Sequence, residues 1–296
     1  MPPKGILVAF LAYACFSCGD ALVKHVGGRV DIYEMVFFIT LFSTIPVILA
    51  KPSEERWRLI LEMKRPLLVH LRAIAGVAGA IMSVYAFTRL PLAEAYALIF
   101  LIPFFTTVLS VIVLRESVGW RRWLAVVAGF GGILLVVKPG FREIGLAHLA
   151  GIGVAVTGAI TIVLLRVLAG KERRSTLMGT VIVYALGANL VLMWPNFTMP
   201  TPPLMAALVA VGILSGFGHT LLIVATTLAP ANHVAPVQYS QIAWAVVLGI
   251  VFFSEVPDAF ALAGLGVVAA SGLFTFMREE ARFGWWRRTP LMRDRP

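Results

Sequence analysis

The sequence predicts an all-α integral membrane protein of ten transmembrane helices, arranged as two inverted five-helix repeats. Three observations carry that prediction. Of 296 residues, 59% are hydrophobic and 14% charged, with a mean hydropathy of +0.90; soluble domains carry about 25% charged residues. Apolar runs long enough to cross a bilayer, about 20 residues each, recur ten times along the chain. Two stretches, 86–116 and 225–255, run parallel at a constant offset of 139 residues. Along them Ala86, Thr88, Pro91, Val108, Leu109 and Glu116 return as Ala225, Thr227, Pro230, Val247, Leu248 and Glu255.

The runs lie near 5–26, 32–50, 67–88, 92–114, 119–137, 148–168, 177–194, 203–227, 233–253 and 258–277. Pro52, Pro66, Pro91, Pro139, Pro195, Pro230 and Pro257 stand at or between their ends, where a missing N–H costs least. Met1 to Ala14 resembles a signal peptide, but the run continues past Asp20 to Val26, long enough to span, and is predicted to be retained. Segment 51–66 reads as an amphipathic surface piece. The chain divides into a first repeat over 1–140, a second over 141–278 and a basic tail over 279–296.

Lysines and arginines set the orientation. With the N-terminus inside, the inner segments hold Lys4; Lys51, Arg56, Arg58, Lys64 and Arg65; Arg115, Arg121 and Arg122; Lys171, Arg173 and Arg174; and the six arginines from Arg278 onward, eighteen in all. Outside stand four, Arg29, Arg89, Lys138 and Arg142, while Lys24, Arg72 and Arg166 fall within span limits. That bias obeys the positive-inside rule and puts both termini in the cytoplasm, so the pI of 10.1 reflects loop charge and not a nucleic-acid partner. Five spans is an odd number, so the second repeat enters the membrane upside down. Inverted repeats are how secondary carriers present one central site to either side in turn.

Several segments resemble the drug/metabolite transporter superfamily, in particular bacterial proteins with two EamA-type repeats. They are Asp20-Ala-Leu-Val-Lys24, Leu90-Pro-Leu-Ala-Glu-Ala-Tyr-Ala-Leu98, the Glu116 boundary with Gly129-Phe-Gly-Gly132 after it, and Ser254-Glu-Val-Pro257. The resemblance spans about 5–277. It implies a ten-helix fold, a cavity between the halves, a bacterial inner-membrane location and export of small metabolites. Members that export aromatic and other neutral amino acids are similar; related members carry nucleosides or S-adenosylmethionine. The family pattern also places a basic residue at Lys24, with Arg166 as its counterpart after a three-residue shift.

Polar groups inside spans are costly, about 2.5–3.5 kcal/mol for a charge at the helix centre on insertion scales, so their positions are informative. Tyr13, Ser17, Asp20 and Lys24 form one stripe at i, i+4, i+7 and i+11 of span one. Two readings stand: a wall of the substrate path with Asp20 and Lys24 as coupling candidates, or an Asp20–Lys24 pair fixing the span near the interface. His219 in span eight is a coupling candidate or a neutral histidine bonded to a neighbouring helix. Gln238 and Gln241 of span nine, with Trp244 close by, are candidate substrate ligands or interhelical glue, and Pro236 frees a carbonyl one turn earlier. Ser83, Tyr85, Tyr96 and Phe100 are further cavity candidates, with Tyr96 and Phe100 leading to a break at Pro103. Glu116 and Glu255 read as caps of the helices that follow.

Cys15 and Cys18, three apart in one span, lack the second ligand pair that zinc needs, so neither metal nor cofactor is expected. No DDxxD, HExxH, GxSxG or GxxxxGK[ST] motif is present, which argues against an enzyme. A channel would favour a ring of charges. The expected function is therefore alternating-access transport of small organic solutes, with export of neutral or aromatic amino acids foremost. A carrier for another metabolite is the alternative, and a passive channel the weaker one. Membrane lipids and a small-molecule substrate are the expected partners, for a monomer or weak homodimer. The site should lie where the halves differ, at Gln238 and Gln241 in place of Ile99 and Ile102.

Overall fold

The computed structural model describes residues 3–49, 62–115, 119–138 and 144–288. Among these the chain is helical and forms no strand. The helices are α1 (Pro3–Val26), α2 (Ile32–Leu49), α3 (Pro66–Arg89), α4 (Leu92–Ile99), α5 (Ile102–Leu114), α6 (Trp120–Val137), α7 (Leu146–Leu168), α8 (Arg174–Met193), α9 (Pro202–Leu228), α10 (Ala231–Val234), α11 (Ser240–Phe253) and α12 (Ala259–Arg288). Eight stretches are long and apolar enough to cross a membrane, and Trp123–Val137 and Ala259–Phe274 are shorter apolar helices. With α4–α5 and α10–α11 each counted as one broken pass, they make the ten expected. Glu116, segment 50–61 and residues 139–143 lie outside the described residues, so the expectations placed on Glu116 and on much of 51–66 do too.

The polarity of the molecule is that of a membrane protein. Leu7, Leu49, Ile112, Val191 and Phe252 are exposed on its flanks, whereas Ser17, Glu34, Thr107 and Asn189 are buried. Water would penalise the first set and lipid the second.

Three elements depart from the sequence reading. Span four breaks at Phe100–Leu101, ahead of the expected Pro103, because proline cannot donate to the carbonyl four residues back and its ring crowds that turn; Pro103 sits in the first turn of α5. Span nine is broken as well, its helix tightening to a 3-10 turn over Ala235–Tyr239 with Pro236 at its start. The last helix runs to Arg288, past the expected limit at 277–278, since Arg278-Glu-Glu-Ala-Arg282 favours helix.

The offset of 139 residues governs backbone geometry as well as sequence. Leu90 and Ala229, both extended, end α3 and α9 before Pro91 and Pro230. Arg115 and Ser254, at φ 53° and 55°, end α5 and α11 in the left-handed conformation, which is uncommon for residues other than glycine. Packing follows the same exchange: α1 lies on α9 and α7 on α3, while α5 meets α7 and α11 meets α1.

The α6–α12 contact depends on glycine. A Cβ on Gly132 would fall 2.7 Å from the Gly264 carbonyl oxygen and 3.1 Å from Val267. Gly132→Leu is expected to push these helices apart at a cost of about 1–3 kcal/mol, read as earlier thermal melting of the purified protein. Unaltered melting would show that the seam is not close-packed.

Candidate functional site

The two helix breaks face each other. Phe100 and Tyr239, equivalent under the 139-residue offset, stack with ring centroids 5.0 Å apart and an interplanar angle of 19°. Tyr239 reaches that position because Gly272 of α12 has no side chain; a Cβ there would come within 2.5 Å of its ring carbon Cε1. Tyr96, one turn before Phe100 on α4, packs edge-on against Phe87 at 5.1 Å. The breaks thus sit at the middle of the molecule on an aromatic contact between equivalent positions.

Polar groups converge beside this contact. The Tyr96 hydroxyl donates to the Asp20 carboxylate of α1, accepts from Gln241 Nε2 at 3.2 Å and lies 3.2 Å from Ser17 Oγ. Ser17 and Tyr96 are 1% and 3% exposed. Three separate passes therefore meet at one phenol. The stripe read on span one brings Ser17 and Asp20 to this point, and the span-nine glutamine comes from the other half of the chain.

A cavity of about 340 Å³ opens from the cluster. Its walls include Tyr96, Phe100, Gln238, Tyr239 and Gln241, and it extends along α5 and α6 past Phe104 and Phe130 to Arg166 on α7. Phe104 and Phe130 stack at 5.8 Å. A small metabolite fits such a volume, with amides and a phenol at one end and aromatic faces along its length.

Beyond Tyr96 an ion pair ties the α3–α4 corner, beside a cavity of about 180 Å³ lined by Pro91, Glu94 and Glu255. Lys24 Nζ contacts Glu255 Oε1 at 2.7 Å and donates to the Leu90 carbonyl at 2.5 Å, while Glu255 Oε2 accepts the Leu92 N–H at 3.0 Å. The carboxylate thereby caps α4, whose N-terminus carries the positive end of the helix dipole and whose Pro91 has no capping side chain. This tie joins α1, the α3–α4 corner and the α11–α12 corner. Nearby, Glu94 of α4 meets His148 of α7 at 2.9 Å; His148 Nδ1 accepts the Gly145 N–H at 3.1 Å, so Nε2 carries the hydrogen toward Glu94.

Several expectations are corrected here. Lys24 pairs with Glu255 and not with Asp20, because Tyr96 supplies the Asp20 partner. Glu255 caps α4 across the molecule and not the helix after it. His219 lies outside the cavity lining, against Phe16 at 5.0 Å. Tyr13 is packed among Ala9, Ala225, Ala229 and Val234. Trp244 stands 5.6 Å from Phe10 and outside the cavity, as do Ser83 and Tyr85; Tyr85, two residues before Phe87 and so on another face of α3, lies under Arg89 at 5.6 Å. Glu94 and Glu255 were missed as partners of basic residues. A charge retained within an apolar run was the available signal for Glu94.

Tyr96→Phe keeps the ring contacts and removes the hydroxyl shared by Asp20, Gln241 and Ser17. Leaving buried polar groups without that partner costs about 1–3 kcal/mol, so earlier melting is expected for Tyr96→Phe and a smaller effect for Ser17→Ala. Equal melting of Tyr96→Phe and the native protein would oppose the shared bond.

Comparison with known proteins agrees with this architecture. Residues 3–138 match the EamA-like transporter family. The chain is 27% identical over 278 residues to an S-adenosylmethionine uptake transporter of Rickettsia prowazekii, covering 94% of each chain. It is 29% identical over 274 residues to a pseudopaline exporter of Pseudomonas aeruginosa, covering 91% of this chain and 95% of that one. A riboflavin transporter of Vibrio cholerae is 26% identical over 206 residues, 69% of each. A solved crystal structure superposes with a TM-score of 0.63 at 16% identity, over 95% of this chain and 100% of the other, which shows a shared fold. The protein is a multi-pass membrane transporter of small metabolites, not an enzyme, and is similar over residues 3–138 to the EamA-like transporter family of the drug/metabolite transporter superfamily.

Proposed function

We propose that this protein is a secondary carrier that works by alternating access and exports amino acids, or metabolites built on them, bearing a flat apolar group. Its moving units are the inverted halves 1–140 and 141–278, followed by a cytoplasmic tail. The observation that carries this reading is the contrast between the two ends of the site. One end is tied by Lys24, Glu255 and the α3–α4 corner around a cavity of about 180 Å³, and the other holds the cavity of about 340 Å³ that reaches Arg166. With the positive-inside orientation the Arg166 end faces the cytoplasm of a bacterial inner membrane, and the tie is an outer latch. Both charges are partly exposed, so the tie holds one state by a modest margin that binding energy can offset.

Substrate chemistry follows from the cluster. Asp20 is a carboxylate held by one phenol, and a substrate ammonium can take its place beside it. The stacked Phe100 and Tyr239 offer aromatic faces. The relatives are an uptake transporter, an exporter and a vitamin transporter, and two of their substrates, S-adenosylmethionine and riboflavin, carry flat rings, which supports the ring and leaves direction to the site itself. A proton and an ammonium that compete for one carboxylate exchange across the membrane, so an inward proton gradient drives the substrate out.

Asp20→Asn is expected to abolish flux driven by a pH gradient in proteoliposomes while substrate–substrate exchange persists at lower affinity. His219→Gln is expected to leave the pH dependence intact. Retained proton-driven flux in Asp20→Asn would sink the shared-carboxylate mechanism. Counterflow of tryptophan or phenylalanine tests the substrate class directly; saturable exchange supports a carrier, and ohmic conduction supports a channel.

Glu255→Gln removes the charge that fixes Lys24 and is expected to raise the accessibility of the Asp20 cluster from the outer side by about tenfold, which is about 1.4 kcal/mol of population shift. Labelling of a cysteine placed at Ser17 by an impermeant thiol reagent reads that shift. Equal labelling with and without Glu255 would show that the pair does not close the outer end.

A further inference from the structure

We propose that Arg166 and Thr106 form an anion subsite at the open end of the cavity, which takes the carboxylate of the transported solute. This rests on the carrier reading above and adds the group that selects among amine-bearing solutes. Arg166 on α7 is the charged residue among the described residues that line the cavity. Its Nη1 donates to Ser110 Oγ of α5 at 3.4 Å, which links the guanidinium to the helix that carries Thr106. A guanidinium presents donors in a fork that matches a carboxylate.

Thr106 supplies the second half of the site. It stands four residues before Ser110, on the same face of α5 and one turn deeper. It is 5% exposed, lines the cavity, and its hydroxyl is buried with no hydrogen-bond partner. A buried hydroxyl without a partner is an unmet hydrogen-bonding demand, and a bound acceptor meets it. Thr107 beside it is committed, its hydroxyl donating to the Pro103 carbonyl at 2.8 Å. The cavity therefore has a positive donor set at its mouth and, behind Tyr96, the Asp20 carboxylate at its far end. The stacked rings of Phe104 and Phe130 lie along it. An α-amino acid carries both charges on one carbon, so Arg166 and Thr106 take its carboxylate on entry, before its ammonium reaches Asp20, and an amine that lacks an acid group is not held there.

The test reads local charge without requiring a known substrate. The chain has two cysteines, so a Cys15→Ala, Cys18→Ala background leaves Thr106→Cys as the single reporter. Two methanethiosulfonate reagents, one ending in a sulfonate and one in a trimethylammonium, are compared on the full chain in detergent, each normalised to its rate with a free thiol. With Arg166 present the sulfonate is expected to react on the order of 10-fold faster, the low end of what a charged cleft does to association rates. The preference should fall to about one in Arg166→Gln and return in Arg166→Lys, in keeping with a charge effect. L-tryptophan should protect the reporter more than tryptamine does in the Arg166 protein, and the two should act alike in Arg166→Gln.

An unchanged reagent ratio in Arg166→Gln, or a reporter that reacts with neither reagent, would overturn the subsite whatever the substrate. A retained charge preference without amino-acid counterflow would support the subsite and overturn the substrate class proposed above. The two ideas therefore fail on different measurements.

Discussion

A carboxylate within a membrane span needs donors from the protein itself, because lipid offers none. Asp20 has that requirement, and the Tyr96 hydroxyl meets it. To stand there, Tyr96 must ride on a short α4 that stops at Ile99, so the helix break is part of the same arrangement. Gln241 then reaches the phenol from the opposite half, and Ser17 closes it from below. Without the carboxylate the buried phenol would lose the acceptor of its proton. The cavity, the aromatic stack and the outer tie are all placed relative to this bond.

Repetition makes the scaffold, and difference makes the site. Equivalent residues end the corner helices, adopt the left-handed caps at Arg115 and Ser254, and stack as Phe100 on Tyr239. On the proposed carrier reading, such agreement lets the two halves exchange roles with little change in energy. Where chemistry is needed the halves diverge: Ile99 and Ile102 face the cavity from the first, Gln238 and Gln241 from the second. An amide can meet a solute without the cost of a buried charge, while isoleucine shapes the space. One side recognises and the other fits.

Much of the fold was legible because lipid imposes it. Span limits followed from apolar length, and the observed helices differ from them mostly by a few residues. Prolines 103 and 236 announced interruptions, although the first break fell at Phe100–Leu101 since proline disrupts the turn before it. Of the site, Ser17, Asp20, Tyr96, Phe100, Gln238 and Gln241 come together, since period and polarity identify faces that are costly to bury. The partners were not legible. A helix pattern shows neighbours at i+4, so it offered Lys24 to Asp20; only tertiary packing brings Glu255 to Lys24. The neighbour of His219 was not legible for the same reason: polarity in a span does not say what the side chain faces, and Phe16 stands there.

The placement of ions decides what can move. Lys24 and Glu255 are 12% and 24% exposed at their side chains, at the end of a pass, where opening the tie hands both charges to water. The large penalty of a broken ion pair belongs to charges left buried and alone; at an end, hydration offsets most of it. A latch built there can hold one state and still release on a useful timescale. Asp20 lies within a pass, and on the proposed carrier reading a proton or a cationic solute replaces the phenol when it leaves. The end of the molecule therefore carries a bond that water can relieve, and the middle carries one that the proposed mechanism gives to the transported species. On the proposed carrier reading, that division ties opening to occupancy without a separate coupling device.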